Sequence, residues 1–240
     1  MRQECNKITQ QEFGYQVQPE IDFGVILDAS IYGGIPQYRD KATPVLKPVV
    51  GSPEEIDNLI EKMYQTDPLQ SGLVPQYLEW RDNLYRDFHT KVTYGGCIKG
   101  CATMMGQILG ITNFLTWIIT DPEPIKRLID CWCDVSIRYL KSMRAFTGFQ
   151  ENERFSIFSD VAGMLSPDLY EEFILEKEQK IYDVFSAKRR YYHADYHMTH
   201  LLKSFRKMGV NEVNIDPYVD CNEILKYLPD AVIYGQISPT

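Results

Sequence analysis

Short apolar, β-branched or aromatic runs punctuate the chain at 23–27, 91–94, 155–158, 190–192, 212–215 and 231–234, each ending in polar residues or glycine. Runs of this length with polar or turn boundaries predict buried strands. Between them the apolar positions switch to a helical period. Ser52-Pro53-Glu54-Glu55 offers an N-cap serine, a proline at the first helical position and a glutamate at the third, which predicts a helix from Pro53 to about Gln65. Asp121-Pro122 opens a longer helix, with Ile125, Leu128, Ile129, Trp132, Val135, Tyr139, Leu140 and Met143 along one stripe. Ser166-Pro167 opens another, whose buried side is expected to hold Leu169, Tyr170, Phe173, Ile174, Ile181, Val184 and Phe185.

Strand and helix alternate throughout. Parallel neighbours cannot be joined by tight hairpins, so alternation of this kind predicts an α/β fold with a parallel sheet and helical crossovers. The last strands begin near residues 190, 212 and 231, a spacing that suits a (β/α) barrel. A doubly wound open sheet is the competing arrangement, and periodicity does not separate the two. No internal repeat or low-complexity tract is present, and 240 residues accommodate one large domain.

Charge narrows the function classes. The 33 Asp and Glu against 25 Lys and Arg give a net charge of -8, which points away from nucleic acid, whose binding rests on clustered cations. The only dense basic run, Lys188-Arg189-Arg190, precedes a strand and is read as structural. The longest apolar stretch, 108–119, is interrupted by Gly110, Thr112 and Asn113 and is shorter than the roughly 20 residues a membrane span requires. The first residues, Met1-Arg2-Gln3-Glu4-Cys5-Asn6-Lys7, contain no apolar core of a secretory signal, so the expected location is the cytoplasm. The six cysteines lack paired Cys-x2-Cys spacing and are expected to be reduced and structural.

In barrel folds the reactive groups sit where strands end. Here the runs close on Asp28, on Gly95-Gly96-Cys97, on Ser159-Asp160, on His193-Ala194-Asp195, on Asp216, and on Gln236 with Ser238. Carboxylates gathered on one rim repel one another unless a cation or proton intervenes, so a metal or a cationic ligand is expected there. His193 and Asp195 are two apart on an extended segment and face the same side, which makes them candidate metal ligands. A rim histidine bonded to Asp195 without an ion is the competing reading. Asp28 and Asp160 are candidate catalytic carboxylates, and Tyr192, Asp216 and Gln236 candidate substrate contacts. His197 and His200 are expected to open the next helix on its solvated face.

The segment Phe158-Ser159-Asp160-Val161-Ala162-Gly163-Met164-Leu165-Ser166-Pro167, followed by Tyr170-Glu171-Glu172-Phe173, resembles the uroporphyrinogen decarboxylase superfamily. That superfamily also holds corrinoid-dependent methyltransferases. The resemblance continues through Tyr192-His193-Ala194-Asp195, Met208-Gly209-Val210-Asn211 and Asn214-Ile215-Asp216-Pro217, and reaches back to Pro44-Val45-Leu46, Ser52-Pro53-Glu54-Glu55-Ile56 and Asp121-Pro122-Glu123.

The resemblance implies a (β/α)8 barrel of the TIM type. The six expected strands would be its second to seventh, so a first strand before Met1 and an eighth beyond Thr240 are expected to be missing. Two exposed parallel edges would remain, so the expectation is either that the 240 residues are a fragment of a longer gene product, truncated at both ends, or that a partner chain, such as a second copy in a homo-oligomer, closes the wall. On the methyltransferase side, the family implies zinc held by a His-x-Cys pair and a further cysteine, serving a methyl transfer between a corrinoid on a partner protein and a small acceptor such as a thiol. His193 fits the histidine and Asp195 stands in place of the cysteine, with Asp160, Asp216 or Cys221 open as the third ligand. On the decarboxylase side it implies a cofactor-free, acid-catalysed reaction on a tetrapyrrole, with Asp28 or Asp160 handling the proton. The arginine motif of that branch is not found, and an acidic rim is a poor host for a polyanion. A third expectation is a catalytically silent barrel that acts as a binding partner. The turn Lys99-Gly100-Cys101-Ala102-Thr103 departs from the Gly-Pro-aromatic-Thr of relatives.

Overall fold

Residues 212–215 form a strand where the apolar run predicts one, and four more strands align beside it in the order in which they occur in the chain. The computed structural model describes residues 8, 10–14, 21–24, 26–40, 42–185, 188–216 and 218–235. A short helix, α1 (Leu27–Ser30), is followed by an antiparallel hairpin of β1 (Ile35–Arg39) and β2 (Ala42–Lys47), which the sequence pattern does not announce. Then come α2 (Ile56–Gln65) and α3 (Val74–Phe88). The parallel sheet runs β3 (Cys97–Lys99), β4 (Arg154–Phe158), β5 (Arg189–Ala194), β6 (Glu212–Ile215) and β7 (Val232–Ile233), each paired only with its sequence neighbour. A doubly wound sheet reverses strand order at a switch point. No reversal occurs among the described strands, so the winding is that of a barrel, seen as an open arc with β3 and β7 at its edges.

Two expected strands are not ladder strands. At 23–27, Asp22 Oδ1 accepts the Gly24 amide at 2.6 Å and Gly24 takes φ +63°, which turns the chain. The segment then enters α1, so Asp28 sits in a short helix rather than at a strand end. At 91–94 the backbone is satisfied by a side chain instead of a neighbouring strand, since Thr147 Oγ1 bonds both the amide and the carbonyl of Tyr94. Pairing begins a turn later, where Gly96 O accepts Ser156 N at 3.0 Å and β3 follows.

Between the strands, α4 (Cys101–Leu109) and α5 (Ile111–Thr120) precede the long α6 (Pro122–Thr147), whose eight predicted stripe residues are all buried. After β4, a π-helical stretch Tyr170–Leu175 leads into α7 (Glu176–Phe185). Ser166 Oγ caps the start of this segment by accepting Leu169 N. Val184, expected inside, is 41% exposed. The wider turn of the π stretch shifts the following stripe onto Ile181, Tyr182 and Phe185. The chain closes with α8 (Leu202–Lys207) and α9 (Cys221–Tyr227) around β6 and β7.

One face of the sheet packs on helices: Phe155 meets Tyr182 and Phe185, and Tyr192 packs against Phe205 with ring centroids 4.3 Å apart. The other face is polar at its foot. Glu212, 3% exposed, accepts Arg154 Nε at 2.7 Å and is also bonded by Arg189, while the Arg154 guanidinium lies over the Tyr191 ring at 4.4 Å. Of the basic run expected to be structural, Arg189 thus joins the floor of the sheet and Arg190 ties Asp183 to the Met208 carbonyl. Among the described residues no single helix is long and apolar enough to cross a membrane; the apolar α4 and α5 meet at 106°.

Removing Glu212 would leave two guanidiniums adjacent at the foot of the sheet. Because both arginines retain solvent contact, Glu212→Ala is expected to cost about 2 kcal/mol rather than the ~3–5 kcal/mol of a fully enclosed pair. Urea unfolding measures this, and an unchanged midpoint would refute the structural weight given to the triad.

Candidate functional site

Parallel register sets the site. Lys99 pairs with Phe158, Phe158 with His193, and His193 with Asn214, so these four side chains form one row across β3 to β6 at the carboxyl ends of the strands. They lie on the face opposite to the helices, because the alternate residues Ile98, Ile157, Tyr192 and Val213 are the buried ones. The Phe158 ring centroid is 5.0 Å from Lys99 Nζ and 5.2 Å from the His193 ring.

Just past this row the chain adds acids. The β4–β5 ladder runs one bond beyond Phe158, with Ser159 N donating to His193 O at 2.9 Å. Asp160 follows, and its Oδ1 accepts the Asp195 amide at 2.7 Å, so the carboxylate caps the end of β5. Gly163 lets the two loops close together, since a Cβ there would fall 2.4 Å from the Tyr196 ring. One ligand atom from each of Asp160, His193 and Asp195 lies within 4.8 Å of the others. His193 Nδ1 is 3.2 Å from Asn214 Oδ1, which fits the tautomer that donates from Nδ1 and leaves the Nε2 lone pair outward. That Nε2 stands 3.6 Å from Asp195 Oδ1. This is too long for a hydrogen bond and close to the ~3.3 Å that separates two ligands sharing one tetrahedral ion at about 2 Å each. One imidazole and two carboxylates suit a divalent cation; no thiol belongs to the cluster.

The other candidate residues are placed elsewhere. Asp216 Oδ1 accepts the Tyr218 amide and its Oδ2 lies 3.2 Å from His197 Nδ1, so it turns away from the cluster. His197 is exposed, while His200 contacts the Leu165 carbonyl at 3.0 Å. Tyr192 is fully buried on the helix face. Cys221 is exposed at the start of α9. Asp28 is 5% exposed and its Oδ2 accepts Lys99 N at 3.2 Å, on the far side of the row. Burial raises its pKa above the ordinary value, and the Lys99 charge and amide hold the rise back. Gln236 and Ser238 lie outside the described residues.

Behind the rim, Glu178 of α7 is fully enclosed. It accepts Cys101 N at 2.9 Å and the Tyr170 hydroxyl at 2.7 Å. Asp28 and Glu178 thus take the backbone amides on either side of Gly100, where a Cβ would fall 2.5 Å from Ser159 and 2.6 Å from Glu178. Sequence reading missed Asn214, Lys99 and Glu178. The signal for the first two is the strand alternation that places them in step with His193; nothing local marks Glu178, which reads as one acid among several in a helix.

A parallel sheet backed by helices on one face and wound without reversal, with a histidine and carboxylates gathered at its carboxyl rim, defines a barrel protein with a candidate metal centre. The sequence matches the uroporphyrinogen decarboxylase (URO-D) family over residues 24–240, and the chain belongs to that family. It is 25% identical over 227 residues to the methylcobamide:CoM methyltransferase MtbA of Methanosarcina acetivorans, covering 91% of this chain and 63% of that protein. It is 23% identical over 205 residues to the uroporphyrinogen decarboxylase of Prochlorococcus marinus, covering 80% and 57% respectively. A solved methyltransferase from Methanosarcina mazei superposes with a TM-score of 0.68 at 16% identity, covering 95% of this chain and 66% of that one, and shares its fold. The chain therefore spans less than two thirds of the length of the curated relatives it matches. The fold is the (β/α)8 TIM-type barrel, of which the described strands form an open arc.

Glu178 offers a test of the clamp behind the rim. Burial pushes its pKa up to about 7 from an ordinary 4.5, against the pull of Tyr170 and the Cys101 amide. Between those values the folded chain binds more protons than the unfolded one, so this contribution to stability is present below about 4.5 and lost as pH rises through about 7. Relative to Glu178→Gln, the wild type is expected to lose about 2–3 kcal/mol between roughly pH 5 and pH 8. Denaturant unfolding of both proteins across that range decides it, and parallel curves would contradict the assignment.

Proposed function

We propose that this chain carries the acceptor site of a methyltransferase that moves a methyl group between a corrinoid carried by a partner protein and a small acceptor such as a thiol. The observation that carries this reading is the convergence of Asp160, His193 and Asp195 within 4.8 Å at the strand ends. The relatives named methyltransferases support it. His193, Asp195 and Asp160 would hold the ion, zinc in this reading, since imidazole and carboxylate are both accepted zinc ligands. Bound there, zinc would supply the Lewis acidity that favours an acceptor thiol in its deprotonated form near neutral pH.

The protein's own contribution is orientation and charge. Asn214 fixes the His193 tautomer, and the Asp195 amide fixes the Asp160 carboxylate. The partly exposed row leaves His193 accessible on the site face, with 24% of its side chain open to solvent.

A decarboxylase reading draws on a different observation, the enclosed Asp28, whose raised pKa favours a proton-bearing carboxyl. It is the weaker reading, because the rim beside it is acidic and the tetrapyrrole substrate is a polyanion. Removal of carboxyl groups from added uroporphyrinogen would bring it forward.

Wild-type protein equilibrated with zinc and desalted is expected to retain about one ion per chain by elemental analysis, and His193→Ala or Asp160→Asn to retain at least tenfold less. Loss of the methylcobalamin absorbance on adding thiol should follow the metal content. A wild type that emerges free of metal would sink the reading and leave the catalytically silent barrel in its place.

A further inference from the structure

We propose that Glu178 is a positioning residue for the candidate metal centre. Ionised, it locks the turns behind the row into the arrangement that brings Asp160 and His193 together; protonated, it releases them. A cation bound at the rim therefore drives a proton out of the helix layer. The coupling to a cation rests on the metal-centre reading, whereas the proton-dependent latch does not.

Glu178 bonds none of the proposed ligands itself and acts through the residues beside them. Its Oε1 accepts Cys101 N at 2.9 Å and its Oε2 accepts Tyr170 Oη at 2.7 Å, with the side chain wholly enclosed. Two more hydroxyls, those of Ser159 and Tyr192, are buried without a partner at hydrogen-bonding geometry. Both lie beside the carboxyl. A Cβ built at Gly100 would fall 2.6 Å from Glu178 Oε1 and 2.7 Å from Ser159 Oγ, so the two oxygens flank the same glycine. The Tyr192 hydroxyl stands close enough to help hold the pKa of Glu178 down. These neighbours are the residues that set the row: Ser159 precedes Asp160, Tyr192 precedes His193, and Cys101 closes the turn that begins at Lys99.

The hydrogen bonds of this pocket have two solutions. As a carboxylate, Glu178 is an acceptor only, and it takes the Cys101 amide and the Tyr170 hydroxyl. As an acid it gains an O–H that needs an acceptor, and Tyr192 Oη is one without a partner; the Tyr192 O–H then turns to Ser159 Oγ. The oxygen that carries the proton is the poorer acceptor, so satisfying these hydroxyls weakens the hold on the turn after β3 or on Tyr170. One proton thus moves the network between a state tied to Cys101 and a state tied to the ends of β4 and β5.

Among the described residues no cation is paired with this carboxyl. It is faced by Tyr170 of the π-helical stretch, Tyr182 of α7 itself, Tyr192 of β5 and Cys101 of α4. Cys133 of α6 and the Lys177–Asp130 ion pair stand behind Cys101, while Arg154 and Arg190 act on Tyr182. Burial brings the Glu178 pKa up to about 7, so both forms are populated near neutrality. A divalent cation at the rim favours the charged form across the sheet, because the interior screens weakly. By linkage, the ionised form strengthens cation binding by the same factor by which the cation favours ionisation, and the proton released passes to the buffer.

Zinc titration of the full chain, wild type and Glu178→Gln, at about pH 5.5 and about pH 7.5 tests the coupling. Glutamine keeps the shape and stays neutral, so it stands for the protonated form. The wild type is expected to bind zinc roughly five- to tenfold more tightly than Glu178→Gln at the higher pH and equally at the lower. Protonation of His193 is common to both proteins and cancels in the ratio. A merely structural role would weaken the variant alike at both pH values, and that result, or equal affinities throughout, would overturn the proposal. The latch is read on the metal-free proteins by amide hydrogen exchange. Corrected for the intrinsic pH dependence of exchange, protection of the Cys101 amide should rise about threefold or more between the two pH values in the wild type and stay level in Glu178→Gln. A wild type that binds no zinc but shows this rise removes the metal-centre reading and the coupling to it, and retains the latch. Zinc binding without the rise removes the role of Glu178 alone.

Discussion

The site depends on the register of a parallel ladder. Side chains alternate across a strand, so slipping β5 by one residue against β4 would bring Tyr192 to the site and send His193 into the helix layer. Aromatic packing on the far face prevents this. Tyr192 against Phe205, and Phe155 against Tyr182 and Phe185, each bury a large ring, worth about 1.5–3 kcal/mol apiece. The slip would carry Tyr192 off Phe205 and turn Arg189 away from Glu212 at the foot of the sheet. Residues that never touch the site therefore fix which side chains form it.

The distribution of acids obeys the same economy of burial. Asp160 and Asp195 are exposed and keep most of their hydration, so they can stand close together without a large desolvation cost. Asp28 and Glu178 are enclosed, and each receives donors that its surroundings must provide: a backbone amide for both, with the Tyr170 hydroxyl added for Glu178. Those amides flank Gly100, so the two buried acids clamp the turn after β3 from either side. Carboxylates from α1 and α7 thus hold this turn by hydrogen bonds.

Much of this was legible in the sequence wherever a pattern is local and repeated. The stripe of α6 was readable because eight apolar residues keep one period over a long helix. His193 and Asp195 were readable because two residues apart on a strand share a face. The misplaced strands at 23–27 and 91–94 share a cause: an apolar run shows that a segment is buried, not which partner satisfies its backbone. Asp22 and Thr147 supplied that partner from side chains, and nothing in the runs themselves announces it. The choice of third ligand was likewise not local. Asp160, Asp216 and Cys221 are equivalent as letters, and only the fold shows Asp216 turned to His197, Cys221 out on α9, and Asp160 beside Asp195.

With Asp160 as the third donor, the chemistry of the proposed metal centre changes in kind but not in charge. A histidine with two thiolates and a histidine with two carboxylates both bring two formal negative charges to the ion. What differs is softness. Thiolates donate more electron density to zinc than carboxylates do, so an oxygen-rich site leaves the ion a stronger Lewis acid toward an incoming ligand, and less selective against other divalent ions. A site of that kind would deprotonate a bound thiol more readily, at some cost in the nucleophilicity of the thiolate, and would discriminate less by the metal alone.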